Sequence, residues 1–253
     1  LLKDMVAKDG NTNRELVVYE GNQPVHLHEN KAFQKASADG KKVSFKAWLG
    51  GAMAIKEDTS ATFRIASGSN LLIVGQQDET TTSLIANAMC SLGKQCTFSN
   101  TSLTLLDGTP ADSTHATVLK EVGESIGCST NMVGIREVEQ AMQDLYTQLE
   151  QRMTDGAADL PTVFLVINAL HRFRDLRRNE DDFGFSTDED KQKTPAQILA
   201  ELIKEGPPLG MHVIIATDTL ANLNRALDRQ GIREFDMRVL LQMGGNDSTN
   251  LID

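Results

Sequence analysis

The chain has 253 residues, and 25 Lys and Arg against 35 Asp and Glu give it a formal net charge of −10 at pH 7. This balance argues against a protein that coats DNA with a basic face, because phosphate contacts need clustered Lys and Arg. It does not exclude a ring in which the channel alone is basic. No apolar run approaches the ~18 residues of a membrane span, and the three cysteines show no metal-ligand spacing. We therefore expect a cytoplasmic protein in a reducing compartment.

The first 42 residues are weakly patterned and rich in Lys, Asn and Gln, with one strand-like piece at Leu16–Tyr19. We predict that residues 1–42 form an arm or linker and that residues 43–253 form one domain. Because the chain starts with Leu1 and its last residues still resemble a structural element, we expect a fragment of a longer protein, truncated at its C-terminus.

Short strands are predicted at the start of this domain. Val43–Leu49 alternates apolar and polar residues, and Met53–Ile55 and Thr62–Ile65 follow after turn-forming residues. This pattern predicts a small antiparallel β lead-in.

From Asn70 onward, apolar strands alternate with amphipathic helices, whose clearest example carries Val138, Met142, Leu145, Leu149 and Met153 at helical spacing. The predicted strands are Leu71–Val74, Leu103–Leu106, Val163–Ile167, His212–Thr217 and Arg238–Met243. Strands joined by helices favour a mainly parallel sheet of the α/β class. Ligands of such sheets bind beyond the carboxyl ends of the strands. The segments to consider are therefore Gly75–Thr82, Asp107–Thr109, Asn168–His171 and Thr217–Thr219.

The first of these segments stands where a phosphate-binding loop, G-x-x-x-x-G-K-[ST], would lie. Its residues are Gly75, Gln76, Gln77, Asp78, Glu79, Thr80, Thr81 and Thr82. Only the first glycine and the last hydroxyl fit, because Thr80 replaces the second glycine and Thr81 replaces the lysine. Asp78 and Glu79 would repel a triphosphate. A β-branched residue at positive φ costs ~1–2 kcal/mol, so we expect the loop to be remodelled.

The helix expected to start near Thr82 still offers free N–H groups and a favourable dipole to an anion. The segment is therefore interpreted as an inert turn, with weak or partner-assisted binding of ATP and Mg²⁺ as the alternative. The third strand ends in Asn168 and Ala169, where an acid pair would organise Mg²⁺ and an attacking water. The phosphate-binding segment thus lacks its lysine and the end of the third strand lacks its acid pair, and we expect no tightly bound cofactor.

Taken together, these segments resemble an FtsK/SpoIIIE-type motor domain of the HerA–FtsK P-loop superfamily. The resemblance runs from Trp48 to Asp253 and rests on Leu49-Gly50, Ser69–Gly75, Leu103–Asp107, Leu145–Met153, Leu160–Asn168, Gly206–Thr217 and Arg238–Asp253. Asp218 stands where the family usually has Gln. The resemblance implies a RecA-like P-loop NTPase fold. The chain matches the family at its scaffold positions but not at its catalytic positions. In this it resembles the degenerate modules of type VII secretion motors.

In such a motor the resemblance implies sister ATPase domains as partners, arranged in a ring, and a cargo of DNA or secreted polypeptide. The module would act in ring assembly, regulation or cargo docking, and any membrane attachment would come from other parts of the protein. Arg233 and Arg238 could reach a neighbour's nucleotide, although Arg238 could equally form a structural salt bridge. Two alternatives remain: an active DNA translocase with a divergent phosphate loop, and a peptide-docking adaptor.

Two weaker features have ordinary explanations. His26 and His28 could share a metal on one strand face, but no third ligand is apparent and exposed polar histidines are the simpler interpretation. Arg172, Arg174, Arg177 and Arg178 could contact DNA or a subunit. Because acidic residues follow them at once, a solvated, mobile loop is the preferred interpretation.

Overall fold

A computed structural model of the protein describes residues 25–38, 44–51, 58–97, 99–156, 160–178 and 192–252. Its strands are β1 (Ser44–Gly50), β2 (Thr59–Arg64), β3 (Leu71–Val74), β4 (Thr101–Asp107), β5 (Ser129–Val133), β6 (Thr162–Asn168), β7 (Met211–Thr217) and β8 (Met237–Leu240). The strand-like pieces predicted at Leu16–Tyr19 and Met53–Ile55 lie outside the described residues, as do the acidic residues of the charged loop. The division into an arm and a domain stays a prediction.

The described helices follow the strands in the predicted alternation. They are α1 (Lys31–Lys35), α2 (Asp78–Gln95), α3 (Val118–Ser125), α4 (Val138–Asp155), α5 (Pro195–Glu205), α6 (Leu220–Ala226), α7 (Arg229–Arg233) and α8 (Gly245–Ile252). The hydroxyl of Thr194 accepts a hydrogen bond from the N–H of Gln197 and so caps α5, as its Thr-Pro start suggests. None of the helices among these residues is long and apolar enough to cross a membrane.

The sheet is parallel throughout its described pairings. Six strands pair in the order β5-β4-β6-β7-β3-β8, and β7 separates the two strands that would carry phosphate and metal groups, β3 and β6. The strands β1 and β2 form a separate antiparallel pair. The predicted mainly parallel sheet with an antiparallel lead-in is therefore confirmed.

Both faces of the sheet are covered by apolar side chains. The pair β1 and β2 packs with α2 and α3 on one face, while α4, α5 and the three C-terminal helices pack on the other. Alternate side chains of β3 pack on opposite faces of the sheet. Leu71 and Ile73 belong to one core, and Leu72 and Val74 belong to the other. This two-sided burial explains why the strand is a continuous apolar run.

Buried polar side chains link the sheet to its surroundings on the edge opposite the candidate site. The amide of Asn70, which is fully buried, donates to the carbonyls of Ile203 and Glu234 and accepts the N–H of Val213. The guanidinium of Arg152 donates to the carbonyl of Leu209 at 2.8 Å and to that of Pro161 at 2.7 Å. These contacts satisfy carbonyls that burial would otherwise leave unpaired.

Three details differ from the sequence predictions. The strand β5 was not predicted, because its first three residues are polar and only Val133 is buried. The strand β8 ends at Leu240 rather than at Met243, and α8 follows it as a helix. The helix predicted to start near Thr82 begins at Asp78 instead.

Candidate functional site

A cavity lies at the carboxyl ends of β3, β4, β6 and β7. It is lined by Gly75, Asp78, Thr81, Thr82, Thr109, Pro110, Asn168, Ala169, His171, Arg172, Ala216, Thr217 and Asp218. All four segments singled out in the sequence contribute to this lining, so the structure brings them together as predicted. The volume of the cavity is about 40 Å³, which exceeds the ~10–15 Å³ that one water needs on the same scale.

The connection between β3 and α2 is short. Only Gln76 and Gln77 separate Gly75 from the first residue of α2, Asp78, so the positions that would curl around a phosphate are part of the helix. Two features favour this early start: the acidic side chains of Asp78 and Glu79 are favourable beside the positive end of the helix dipole, and no glycine interrupts the turn. The expected remodelling of the loop is thus an extension of α2.

Close packing explains why residue 75 is a glycine. A Cβ built at this position would lie 2.5 Å from the Cβ of Leu241, in the segment after β8. The N–H of Gly75 donates to the carbonyl of Thr217 at 3.0 Å, which continues the pairing of β3 with β7. The glycine that fits the phosphate-loop pattern is therefore explained by the close approach of a neighbouring chain segment.

The threonines of the first turn face inward. Thr81 and Thr82 are buried, and the hydroxyl of Thr81 donates to the carbonyl of Gln77 at 2.9 Å. The hydroxyl of Thr80 donates to the side-chain oxygen of Gln77 at 3.1 Å. Position 81, where a lysine would reach the phosphates, thus carries a short side chain bonded to its own helix.

Asn168, the last residue of β6, is turned toward β4. Its amide donates to Oδ1 of Asp107 at 3.1 Å and to the hydroxyl of Thr109 at 2.9 Å. The same Asp107 oxygen accepts the N–H and the hydroxyl of Thr109, at 2.9 and 2.6 Å. The position that would hold a metal through a carboxylate is therefore a hydrogen-bond donor, and its partner is the carboxylate of the next strand.

The residue after Asn168 has an unusual backbone. Ala169 has φ 55° and ψ 54°, the left-handed region, and it is the one non-glycine residue with positive φ in the described chain. This conformation costs an L-residue with a Cβ about 1–2 kcal/mol. The bend directs the chain from β6 into a short 3-10 helix at Leu170–Arg172. Its methyl side chain offers neither a base nor a ligand.

Asp218 and His171 form the third part of the lining. Oδ1 of Asp218 accepts the N–H of Thr219 at 2.7 Å, and both its oxygens accept the amide of Asn222, at 2.8 and 2.9 Å. Burial opposes ionisation of Asp218, but the Asn222 amide, the nearby His171 and the Thr219 donors outweigh it and lower the pKa of this carboxyl. Asp218 is therefore a fixed negative charge at neutral pH.

His171 has one nitrogen without a hydrogen bond. Its Nδ1 lies 3.4 Å from Oδ1 of Asp218, close enough for an ion pair, yet the two atoms are not aligned for a hydrogen bond. The side chain is 27% exposed. We take the contact as a weak electrostatic one, because partly exposed pairs gain little from their attraction.

The side chains around the cavity do not fit a magnesium triphosphate. Its lining includes two carboxylates, Asp78 and Asp218, together with Arg172 and His171, and no lysine. Asn168 and Ala169 supply no charged metal ligand. The described residues also contain no group of three side chains suited to a metal. The rings of His26 and His28 stack with their centroids 5.4 Å apart, and they belong to no such group among those residues.

The two arginines proposed to act on a neighbour differ in their surroundings. Arg233 is exposed at the end of α7. The guanidinium of Arg238 donates to the carbonyls of Ile232, Phe235 and Leu251. Its structural role is thus to hold α7 and α8 against β8 through carbonyls, rather than through the salt bridge that was expected. As an arginine finger it would have to release these contacts.

Sequence reasoning did not identify every residue of the site. Pro110 and Arg172 line the cavity, and Leu241 imposes the glycine at position 75. Pro110 and Arg172 each follow a segment that had been singled out, so extending those segments would have found them. Leu241 follows a different strand, and no sequence signal indicated its contact.

A six-stranded parallel sheet flanked by helices, with the candidate site at the carboxyl end of β3, defines the RecA-like P-loop ATPase fold. The amino-acid sequence matches no family model and no curated protein. Solved structures, in contrast, match clearly. They include Thermomonospora curvata EccC (ATPases 2 and 3) in complex with a signal sequence peptide, at TM-score 0.55 and 17% identity over 82% of this chain and 38% of the other.

Two further structures agree with this likeness. EssC (ATPases 2 and 3) from Geobacillus thermodenitrificans has TM-score 0.55 and 10% identity, over 93% of this chain and 42% of that one. The cytoplasmic domain of the Thermomonospora curvata type VII secretion ATPase EccC has TM-score 0.54 and 12% identity, over 92% and 28%. The chain thus spans less than half of each. The resemblance to ATPase modules of type VII secretion motors is confirmed at the level of the fold.

Proposed function

We propose that this chain is a degenerate P-loop ATPase module that does not hydrolyse ATP and belongs to a larger FtsK/SpoIIIE-type translocase of the type VII secretion kind. One observation carries the proposal: at the carboxyl ends of β3 and β6, the lysine and the acid pair that would bind a magnesium triphosphate are replaced by uncharged residues. Thr81 stands for the lysine, Asn168 and Ala169 stand for the acid pair, and α2 includes the residues of the loop.

Electrostatics supports the same conclusion. A triphosphate needs compensating positive charge, and here two carboxylates, Asp78 and Asp218, line the cavity beside one arginine, Arg172. Two like unit charges 4 Å apart repel by about 4 kcal/mol at an effective dielectric constant of 20. One such pair alone would weaken binding about a thousandfold. The dipole of α2 offsets only ~0.3–1 kcal/mol of this.

The descriptions of the similar structures support a position beside other ATPase modules. Two of the similar structures are described as containing ATPases 2 and 3, and this chain aligns with less than half of each. We therefore propose that it neighbours sister ATPase domains in a ring, where it would contribute contacts and regulation while a neighbour hydrolyses ATP. The exposed Arg233 is a residue through which it could contact such a neighbour.

Cargo docking is the second candidate function. It is favoured by one finding, the signal sequence peptide bound in the Thermomonospora curvata EccC structure. An adaptor of this kind would use the emptied cavity as its docking pocket. Asp78 lines this cavity, and Gln77 precedes it as the N-cap of α2.

Isothermal titration with ATP and Mg²⁺, together with a turnover assay, tests the main proposal. We expect no saturable binding below about 1 mM and no turnover. A P-loop ATPase domain with an intact G-x-x-x-x-G-K-[ST] loop serves as the positive control. Micromolar binding with hydrolysis at several turnovers per second would contradict the proposal and support the active DNA translocase.

Fluorescence anisotropy with a labelled C-terminal peptide of a secreted substrate tests the docking role. If the cavity holds the peptide, Asp78→Asn weakens binding, whereas Glu79→Gln leaves it unchanged, because Asp78 lines the cavity and Glu79 does not. Added ATP should have no effect. Equal losses in both variants, or competition by ATP, would count against docking at this cavity.

A further inference from the structure

Two cysteines distant in the sequence meet at the end of α2 that lies away from the candidate site. Cys96 directly follows α2 as its C-cap, and Cys128 directly precedes β5. Both belong to one buried core and are 4% and 2% exposed. All three cysteines of the chain are reduced.

The backbone of the two segments is in close contact. A Cβ built on Gly127 would lie 3.4 Å from the carbonyl oxygen of Gly93 and 3.6 Å from that of Cys96. One on Gly93 would lie 2.5 Å from the Cβ of Ile126. The residues before Cys128 therefore pack directly on the last turn of α2.

The thiols themselves are in contact. The Cys96 side chain hydrogen bonds to Cys128, and this bond lowers the pKa of the Cys128 thiol although burial opposes the change. Cys90 differs from this pair, because burial alone raises its pKa. A lowered pKa increases the thiolate fraction, and the thiolate is the nucleophile in disulfide exchange.

We propose that Cys96 and Cys128 are a redox-active dithiol that forms an intramolecular disulfide with a low-molecular-weight disulfide as oxidant. The Cys128 thiolate attacks one sulfur of the oxidant, which forms a mixed disulfide and releases one thiol. Cys96, after losing its proton, then attacks the Cys128 sulfur and releases the second thiol. The protein loses two electrons and two protons, and the oxidant is reduced to two thiols.

The disulfide would act on the fold, independently of the proposed function. It would fasten the end of α2 to the start of β5 and close the loop of chain that contains β4 and α3. Closing a loop stabilises a fold mainly by restricting the unfolded chain. Because both sulfurs are buried, the oxidant reaches them through local opening of residues 126–128, and the reaction is slower than that of an exposed thiol.

Peptide mapping tests the proposal directly, because trypsin places the three cysteines in separate peptides. Cleavage follows Lys94, Lys120 and Arg136. The reduced chain is incubated in native buffer with oxidised glutathione, alkylated and digested without reductant. We expect the peptide containing Cys96 joined to the one containing Cys128, released by dithiothreitol, and a Tm higher by about 5 °C in the oxidised protein.

Control variants separate the three thiols. Cys90→Ser should leave the linkage intact, and Cys96→Ser should abolish it. Phenylarsine oxide, which bridges two neighbouring thiols, gives a second readout on the reduced wild-type chain and should bind across Cys96 and Cys128. Glutathione attached to Cys90 alone, a linkage through Cys90, or both buried thiols remaining reduced and unbridged would each overturn the proposal.

Discussion

The buried imidazole of His212 should make the stability of the fold depend on pH. It is 2% exposed, and its ring centroid lies 5.5 and 5.4 Å from those of Phe63 and Phe164. Its Nδ1 forms one hydrogen bond of 2.8 Å with the carbonyl of Ser69. Since a carbonyl only accepts, Nδ1 carries the proton. Burial lowers the pKa of His212 to about 4; the Ser69 carbonyl opposes this and the charge of Arg152 adds to it.

The sign of the effect follows from proton binding. Between pH 6.5 and pH 4 the unfolded chain takes up a proton at His212 that the native chain does not, so the free energy of unfolding falls as the pH falls. A difference of one in pKa corresponds to about 1.4 kcal/mol. The loss from this residue should therefore reach about 3 kcal/mol by pH 4 and be absent above pH 7.

Urea denaturation at pH 7, 5.5 and 4 measures this loss. His212→Asn keeps a donor for the Ser69 carbonyl but cannot titrate, so its stability should fall by about 3 kcal/mol less over this range than that of the wild type. His28→Asn, a substitution at an exposed histidine, serves as the matched control. If wild type and His212→Asn lost stability in parallel, the pH dependence would arise elsewhere and the reasoning would fail.

Three further predictions concern packing and backbone. Gly75→Ala should lower the free energy of thermal unfolding by about 1–3 kcal/mol, because the added Cβ meets Leu241. The double variant with Leu241→Gly should recover part of this loss, and purely additive effects would contradict the packing explanation. Ala169→Gly should stabilise by about 0.5–1 kcal/mol by relieving the left-handed backbone, and a lower Tm would show that the methyl group is needed. Arg152→Met should lower the free energy of unfolding in urea by about 1–3 kcal/mol, since two partly buried carbonyls lose their donors. An unchanged midpoint would mean that water replaces the guanidinium.

The fold could be predicted because its strands are buried on both faces. The run Leu71–Val74 and the longer run at Val163–Ile167 indicate central strands, since few other structures bury every consecutive side chain. Helical spacing located α4 almost to the residue, and Thr194-Pro195 located the start of α5. The sequence also predicted that the polar segments lie close together, because the carboxyl ends of all strands in a parallel sheet share one edge.

The remaining features depend on contacts that no local pattern reports. The edge strand β5 buries little, so its residues resemble a loop. The closeness of Leu241 to Gly75 and the left-handed backbone of Ala169 are set by distant parts of the chain. The early start of α2 could have been anticipated, because Asp78 and Glu79 are favourable in a first helical turn.

The hydrogen bond between Asn168 and Asp107 has a consequence for the evolution of this domain. A single exchange of Asn168 for Asp would place two carboxylates about as close as the present 3.1 Å contact, and their repulsion would penalise the intermediate before any ion was gained. A second change at Asp107 would remove this penalty. The carboxylate of Asp107 thus favours an amide over an acid at the end of β6.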